Sequence, residues 1–151
     1  MIHVTFVCTG NICRSPMAER IFAEHVRRAG LDDRVRVTSA GTHGYHVGDG
    51  ADRRTDKVLE AAGYPTGHRA AQVDDDHLAA DLVVALDRGH DRILAQLGVP
   101  DDRRRLLRSF DPDADSDSVP DPYYGDITDF ELVRDQIEAA VPGLLAWVRE
   151  N

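Results

Sequence analysis

The stretch from Ile2 to Pro16, IHVTFVCTGNICRSP, constrains this chain more than any other. Ile2 to Val7 is β-branched and aromatic, the pattern of a buried strand. Cys8 to Ser15 follows as a short loop with one Gly, one Asn and two Cys. Pro16 then suits the first position of a helix, with Ser15 as its N-cap. A strand, a tight loop and a helix N-terminus together form an anion cradle: free backbone N–H groups point into the loop, and the helix dipole adds positive potential. The chain must therefore be an α/β fold in which this loop lies at the carboxyl edge of a sheet.

The cradle has its own chemistry. Arg14 adds a planar fork of donors suited to phosphate. Cys8 ends the strand, which puts its sulfur at the cradle floor, where the donors that hold a dianion also stabilise a thiolate. A thiolate beneath a bound phosphoryl group can attack phosphorus in line while Arg14 and the N–H groups hold the equatorial oxygens. Cys-x5-Arg alone recurs by chance, but directly after an apolar strand it is far more specific. The plain alternative is a buried structural cysteine beside a solvated arginine.

Three further segments stand at matching places along the chain: Ser39-Ala40-Gly41-Thr42, His68-Arg69-Ala70 and Asp121-Pro122-Tyr123-Tyr124-Gly125. With the loop, they make essentially the whole chain resemble the low-molecular-weight protein tyrosine phosphatases of bacterial type. The resemblance implies one phosphatase domain over residues 1–151, flavodoxin-like, with an open sheet of four parallel strands and helices on both faces. It implies hydrolysis of phosphotyrosine in proteins through a cysteinyl phosphate, with no cofactor and no metal. Cys8 would be the nucleophile, Arg14 the phosphate clamp, and Asp121 the general acid and then base, Asp111 being the fallback for that role. Thr9, Gly10, Asn11, Ile12, Cys13 and Ser15 would surround the phosphate, with Ser39 and His68 bracing Asn11. Tyr123 and Tyr124 would wall the cleft. Tyr45 stands where the family usually carries an aromatic; its residue type alone reads equally as packing or as a ring that stacks on the substrate. Cys13 is either a small apolar filler or a thiol able to trap oxidised Cys8 as a disulfide. Ile12 is branched and apolar, whereas relatives resembling arginine phosphatases carry Thr at this point, so Ile12 is expected to favour a flat phenyl ring.

The rest of the chain reads as alternating strands and helices. Expected strands are Arg34–Ser39, Asp81–Asp87 and a short one around Leu106-Leu107. Expected helices cover Pro16–Ala29, Asp52–Ala62, a short stretch from Asp74, Arg88–Leu97 and a last helix opened by a Thr128–Glu131 capping box. Ala18, Ile21, Phe22, Val26 and Ala29 share one helical face, as do Ile93, Leu94 and Leu97. Pro142 should kink the last helix. Asp111 to Pro122 holds five Asp and three Pro and reads as an irregular loop. His43 and His46 lie in a Gly-rich loop without metal-ligand spacing.

Composition narrows the function classes. A chain of 151 residues with 42% hydrophobic and 30% charged residues is one ordinary domain. A formal net charge of −9 argues against nucleic acid as a partner. No apolar run approaches a membrane span, and the N-terminus lacks a signal-peptide pattern, so the expected compartment is the cytoplasm; unconventional export stays compatible. Two cysteines with four residues between them are neither a disulfide framework nor a zinc site. The expected partners are phosphotyrosine-containing proteins, with phosphate as product inhibitor, and the expected state is a monomer or weak dimer. An arsenate reductase on the same fold would use additional later cysteines, and none follows Cys13. A non-catalytic phosphate-binding module would be expected to lack Cys8, Arg14 or Asp121.

Overall fold

A computed structural model describes residues 1–151. The strands are β1 (Ile2–Cys8), β2 (Val35–Gly41), β3 (Leu82–Ala85) and β4 (Arg104–Leu106). The helices are α1 (Arg14–Arg28), α2 (Arg53–Ala61), α3 (Asp75–Leu78), α4 (Arg88–Gln96) and α5 (Ile127–Glu150), with a 3-10 helix at Leu107–Phe110. All strand pairs are parallel, in the order β2-β1-β3-β4. This is the flavodoxin-like order, and its reversal point lies between β1 and β3. Cys8, the last residue of β1, therefore sits at the crevice where open α/β sheets bind ligands.

Strand alternation divides the core in two. Val4, Phe6 and Cys8 of β1, with Leu82 and Val84 of β3, join one large cluster with apolar residues of α1, α2 and α5. Val7, Val83 and Ala85 face the other side, against Leu94 of α4 and Ala80. Burial on both faces explains the unbroken apolar run of β3. Phe6 meets Phe22 of α1 edge-on, with centroids 5.8 Å apart.

The structure shifts several boundaries. α1 begins at Arg14, not Pro16, and its N-cap is Cys13 with no side-chain cap bond. Ser15 lies inside the first turn, so its hydroxyl is free for other work. β2 runs on through Ala40 and Gly41 because these residues keep pairing with Val7 and Cys8. α5 is capped two residues before the expected box, by Asp126 and Asp129. It continues unbroken through Pro142, with Phe130, Val133, Ile137, Val141, Leu144 and Val148 buried as its periodicity demands. Ala29 and Leu97 are exposed because both sit at the C-cap, where the helix has already left the core. Residues 111–126 form an irregular arm between the 3-10 helix and α5.

Candidate active site

The loop after β1 turns its carbonyls outward. Cys8 O accepts from Thr42 N at 2.8 Å, Thr9 O from His43 N at 3.0 Å and Ile12 O from Asp52 N at 2.8 Å. Asn11 O accepts from His68 Nε2 at 2.7 Å. No backbone N–H from Thr9 to Cys13 donates to any protein acceptor. Buried N–H groups are rarely left so, and a run of them around one point is an anion nest. Gly41 makes room for this loop: a Cβ there would fall 2.6 Å from Thr9 O.

One strained residue holds the shape. Asn11 is the sole non-glycine at positive φ, +59°, and it is wholly buried. Its Nδ2 donates to Ser15 Oγ at 2.8 Å and to Ser39 Oγ at 3.0 Å, and its Oδ1 accepts from Ala71 N at 2.9 Å. Ser39 in turn donates to Glu19 Oε1 at 2.7 Å. A carbonyl only accepts, so His68 carries its proton on Nε2; burial pushes its imidazole below the ordinary range, which keeps the ring neutral. Ser15 Oγ accepts from Asn11 and lies 2.8 Å from Cys8 Sγ, with Ala40 O, at 3.4 Å, the more distant acceptor for its hydroxyl proton.

Arg14 is buried along the opposite wall. Its Nη1 donates to Asp87 Oδ2 at 2.8 Å and to Val119 O at 2.9 Å, while Nη2 lies 3.9 Å from Asp121 Oδ2. Asp87 is the N-cap of α4 and accepts from His90 N at 3.0 Å. Burial pushes the Asp87 carboxyl up, but the His90 N–H bond, the His90 ring and Arg14 outweigh it and hold it below the usual range. Burial, aided by Arg14, pushes the His90 imidazole down to about 4. His90 Nε2 lies 2.8 Å from Thr9 Oγ1, so α4 is tied both to the loop and to its arginine. Burial pushes the Cys13 thiol up, reinforced by Asp52 and Cys8, so Cys13 stays protonated.

A cavity of about 290 Å³ opens above the loop. Cys8, Thr9, Gly10, Ile12, Cys13, Arg14, Tyr45, Asp121, Tyr123 and Tyr124 line it, and so does His46. The side chains of Asn11 and Ser15, expected around the phosphate, are engaged in the loop wall. Asp111 is absent from the cavity and accepts from Asp113 N within its own turn. Asp121 is half exposed, at 51% of its side chain, and accepts from Tyr123 N at 3.1 Å. Tyr45 stacks on His43 with centroids 5.1 Å apart. Asp87, His90 and Val119 are site residues that sequence reasoning misses. Asp87 carries a usable signal, since it stands at the carboxyl end of a strand and three residues before a helical His. Val119 acts through its carbonyl, which no sequence pattern reveals.

A buried thiol ringed by free N–H groups, beside a fixed guanidinium, is the arrangement of the cysteine-dependent phosphatases. A family model described as low molecular weight phosphotyrosine protein phosphatase matches residues 3–151. The low molecular weight protein-tyrosine phosphatase A of Mycobacterium tuberculosis is 64% identical over 152 residues, covering 99% of this chain and 93% of that one. A Streptomyces coelicolor low molecular weight protein-tyrosine-phosphatase is 53% identical over 157 residues, covering 99% and 94%. A solved protein tyrosine phosphatase from Entamoeba histolytica, with Hepes in its active site, superposes with a TM-score of 0.94 at 31% identity, covering 99% and 98%. The chain belongs to the low molecular weight phosphotyrosine protein phosphatase family and is an enzyme, a protein-tyrosine phosphatase.

Proposed function

We propose that residues 1–151 act as one phosphatase domain in which Cys8, Arg14 and Asp121 perform the chemistry. The observation that carries this reading is the run of unpartnered N–H groups from Thr9 to Cys13 closing around the cavity that Cys8 and Arg14 line. Phosphate oxygens satisfy those donors, and Arg14 Nη2 adds a charge-assisted bond. The Cys8 thiolate attacks phosphorus, the bond to the phenol oxygen breaks, and Asp121 delivers its proton to that oxygen. Water then attacks the cysteinyl phosphate, the Asp121 carboxylate takes the water's proton, and the P–S electron pair returns to sulfur. The Ser15 hydroxyl donates to that sulfur and stabilises it as it departs. The cradle supplies the positive charge of the transition state, so the steps call for no metal or cofactor.

Ile12, Tyr45, Tyr123 and Tyr124 form the apolar upper walls, which suits a phenyl ring, while Thr9, Gly10 and the backbone of Asn11 and Cys13 hold the phosphate. Asn11, Ser39 and His68 keep the loop in shape. The substrates are phosphotyrosine-containing proteins, and inorganic phosphate, fitting the same nest, is a competitive product inhibitor. The proposed unit of activity is a monomer or weak dimer. A nucleophilic thiol needs a reducing compartment, which favours the cytoplasm; no helix is long and apolar enough to cross a membrane. Release of phosphate from phosphotyrosine, phosphoserine and phosphoarginine peptides, with and without EDTA, tests the reading. Strong preference for phosphotyrosine, unchanged by EDTA, is expected. Cys8→Ser should lower turnover by more than about 10⁴-fold while still binding phosphate; residual turnover near wild type would remove Cys8 from the mechanism.

A further inference from the structure

We infer that Arg54 is a positioning residue for the catalytic acid, clamping the turn that carries Asp121 to the wall of the phosphate loop. The inference rests on the reading of Asp121 as that acid. Arg54 lies in the first turn of α2, and four contacts share its guanidinium. Its Nε and Nη2 form a two-pronged pair with Asp52 Oδ1 and Oδ2, both at 3.0 Å. Its Nη1 donates to Gly125 O and its Nη2 to Tyr123 O, both at 2.9 Å. The guanidinium plane is set from a further direction by Phe130, whose ring centroid is 4.3 Å away. A local ion pair beside the helix cap accounts for the Asp52 contacts; it does not explain two donors aimed at carbonyls about seventy residues further along the chain.

Both ends of this clamp lead to the chemistry. Asp52 N donates to Ile12 O at 2.8 Å, and Thr55 Oγ1 reaches the same carbonyl at 3.3 Å, so the α2 N-terminus is fixed to the loop crest. On the other side, Tyr123 N donates to Asp121 Oδ1 at 3.1 Å. The peptide whose carbonyl Arg54 holds thus belongs to the residue whose N–H orients the acid. On the N-terminal side of Asp121 the arm is anchored at Val119, whose N–H donates to Leu86 O and whose carbonyl accepts from Arg14, with Ser118 and Asp115 tied to Arg88 N and Arg108 before it. Asp121 lies between the two anchors, and Arg54 is the only side chain donating to the Tyr123–Gly125 side. An ammonium is a point charge and cannot hold a carboxylate fork and two carbonyls at once.

The test measures kcat/KM for a series from dinitrophenyl to unsubstituted phenyl phosphate with wild type, R54A, R54K, D121A and R54A/D121A. A misplaced acid matters most for the poorest leaving group. R54A should lose about tenfold or more on phenyl phosphate and under about threefold on dinitrophenyl phosphate. R54K should follow R54A, and it carries the test alone if R54A fails to fold. In the D121A background the Arg54 change should add nothing, since no acid is left to position. Inhibition by inorganic phosphate should stay within about twofold of wild type, showing the loop intact. Equal losses across the series, or losses that add to those of D121A, would overturn the role of Arg54. A flat profile for D121A itself would instead overturn the assignment of the acid, and the proposal with it.

Discussion

The loop Cys8–Ser15 and the arm 111–126 face each other across one cavity, and they are held in opposite ways. Cys8, Asn11, Cys13, Arg14 and Ser15 are buried, and the loop carbonyls are bonded to backbone from the 42–43 and 52 segments and to the His68 side chain. The arm is mostly exposed: Tyr124 is 93% exposed, and Val119 and Pro122 are its buried residues. The physical demands differ. The loop must present several N–H groups to one phosphate without reorganising, which favours over-determined backbone. The acid must exchange protons with a leaving group and then with water, which favours a solvent-accessible carboxylate. The site therefore combines a buried binding half with a solvent-exposed proton-transfer half, the latter held by donors from outside the arm.

The contrast can be broken at either side. The largest effect is expected from Asn11→Ala, which removes three side-chain bonds, strands Ala71 N and puts Ala at a left-handed φ. Stability should fall by about 4 kcal/mol or more, read from denaturant unfolding. Asn11→Gly, which relieves the backbone but not the bonds, should recover about 1 kcal/mol of this. A loss below about 1 kcal/mol for the Ala variant would mean that the loop is held elsewhere.

On the arm, Asp121→Ala should leave the melting temperature nearly unchanged yet lower kcat/KM for phenyl phosphate by about 10²–10³-fold, with a much smaller loss for dinitrophenyl phosphate. Asp111→Ala should stay within about twofold on both substrates. The reverse pattern would move the acid to Asp111.

The His90 contact sharpens the comparison, because it ties α4 to the buried half. Burial and then Arg14 hold its imidazole at about 4, below the ordinary 6.5, against the opposing pull of Asp87 and Asp121. The unfolded chain then binds more protons than the folded one between those values, so stability falls as pH drops from 6.5 to about 4. The contribution lost is up to about 3 kcal/mol, and His90→Asn should flatten that part of the stability–pH curve. Asp87, held below its ordinary value, contributes its own loss only at still lower pH. An unchanged slope in the variant would show that another group carries the titration.

The smallest effect concerns the rim shared by both halves. Ile12→Thr should shift the kcat/KM ratio toward phosphoarginine over phosphotyrosine by about tenfold, about 1.4 kcal/mol, because a hydroxyl replaces an apolar wall next to a polar guanidinium edge. Measuring both substrates on both proteins checks it, and an unchanged ratio would shift specificity to the tyrosines.

Patterns that span only a few residues are legible in the sequence. The strand–loop–helix stretch, the unbroken apolar run of β3 and the buried face of α5 all follow from residue type and period. The expected Ser15 cap fails for a local reason: Pro16 suits the first helical position, but the chain already turns helically at Arg14, where loop and helix share their first N–H groups. The expected Thr128 cap gives way to Asp126, another good cap, which lies two residues earlier.

Through the strand pattern and the Cys8–Arg14 spacing, the sequence by itself determined that a thiol would lie at the floor of an anion cradle. Only the tertiary structure decided which groups hold that cradle and its acid in place. Asp87 on Arg14, His90 on Thr9, Arg54 on Tyr123 and Gly125, and the carbonyl of Val119 are contacts between segments far apart in the chain. Each uses a residue type that is equally at home on a solvated surface, or a backbone group that every residue has. Partners of this kind are fixed by the order of strands in the sheet, which brings the ends of β1 and β3 together, and not by any local preference.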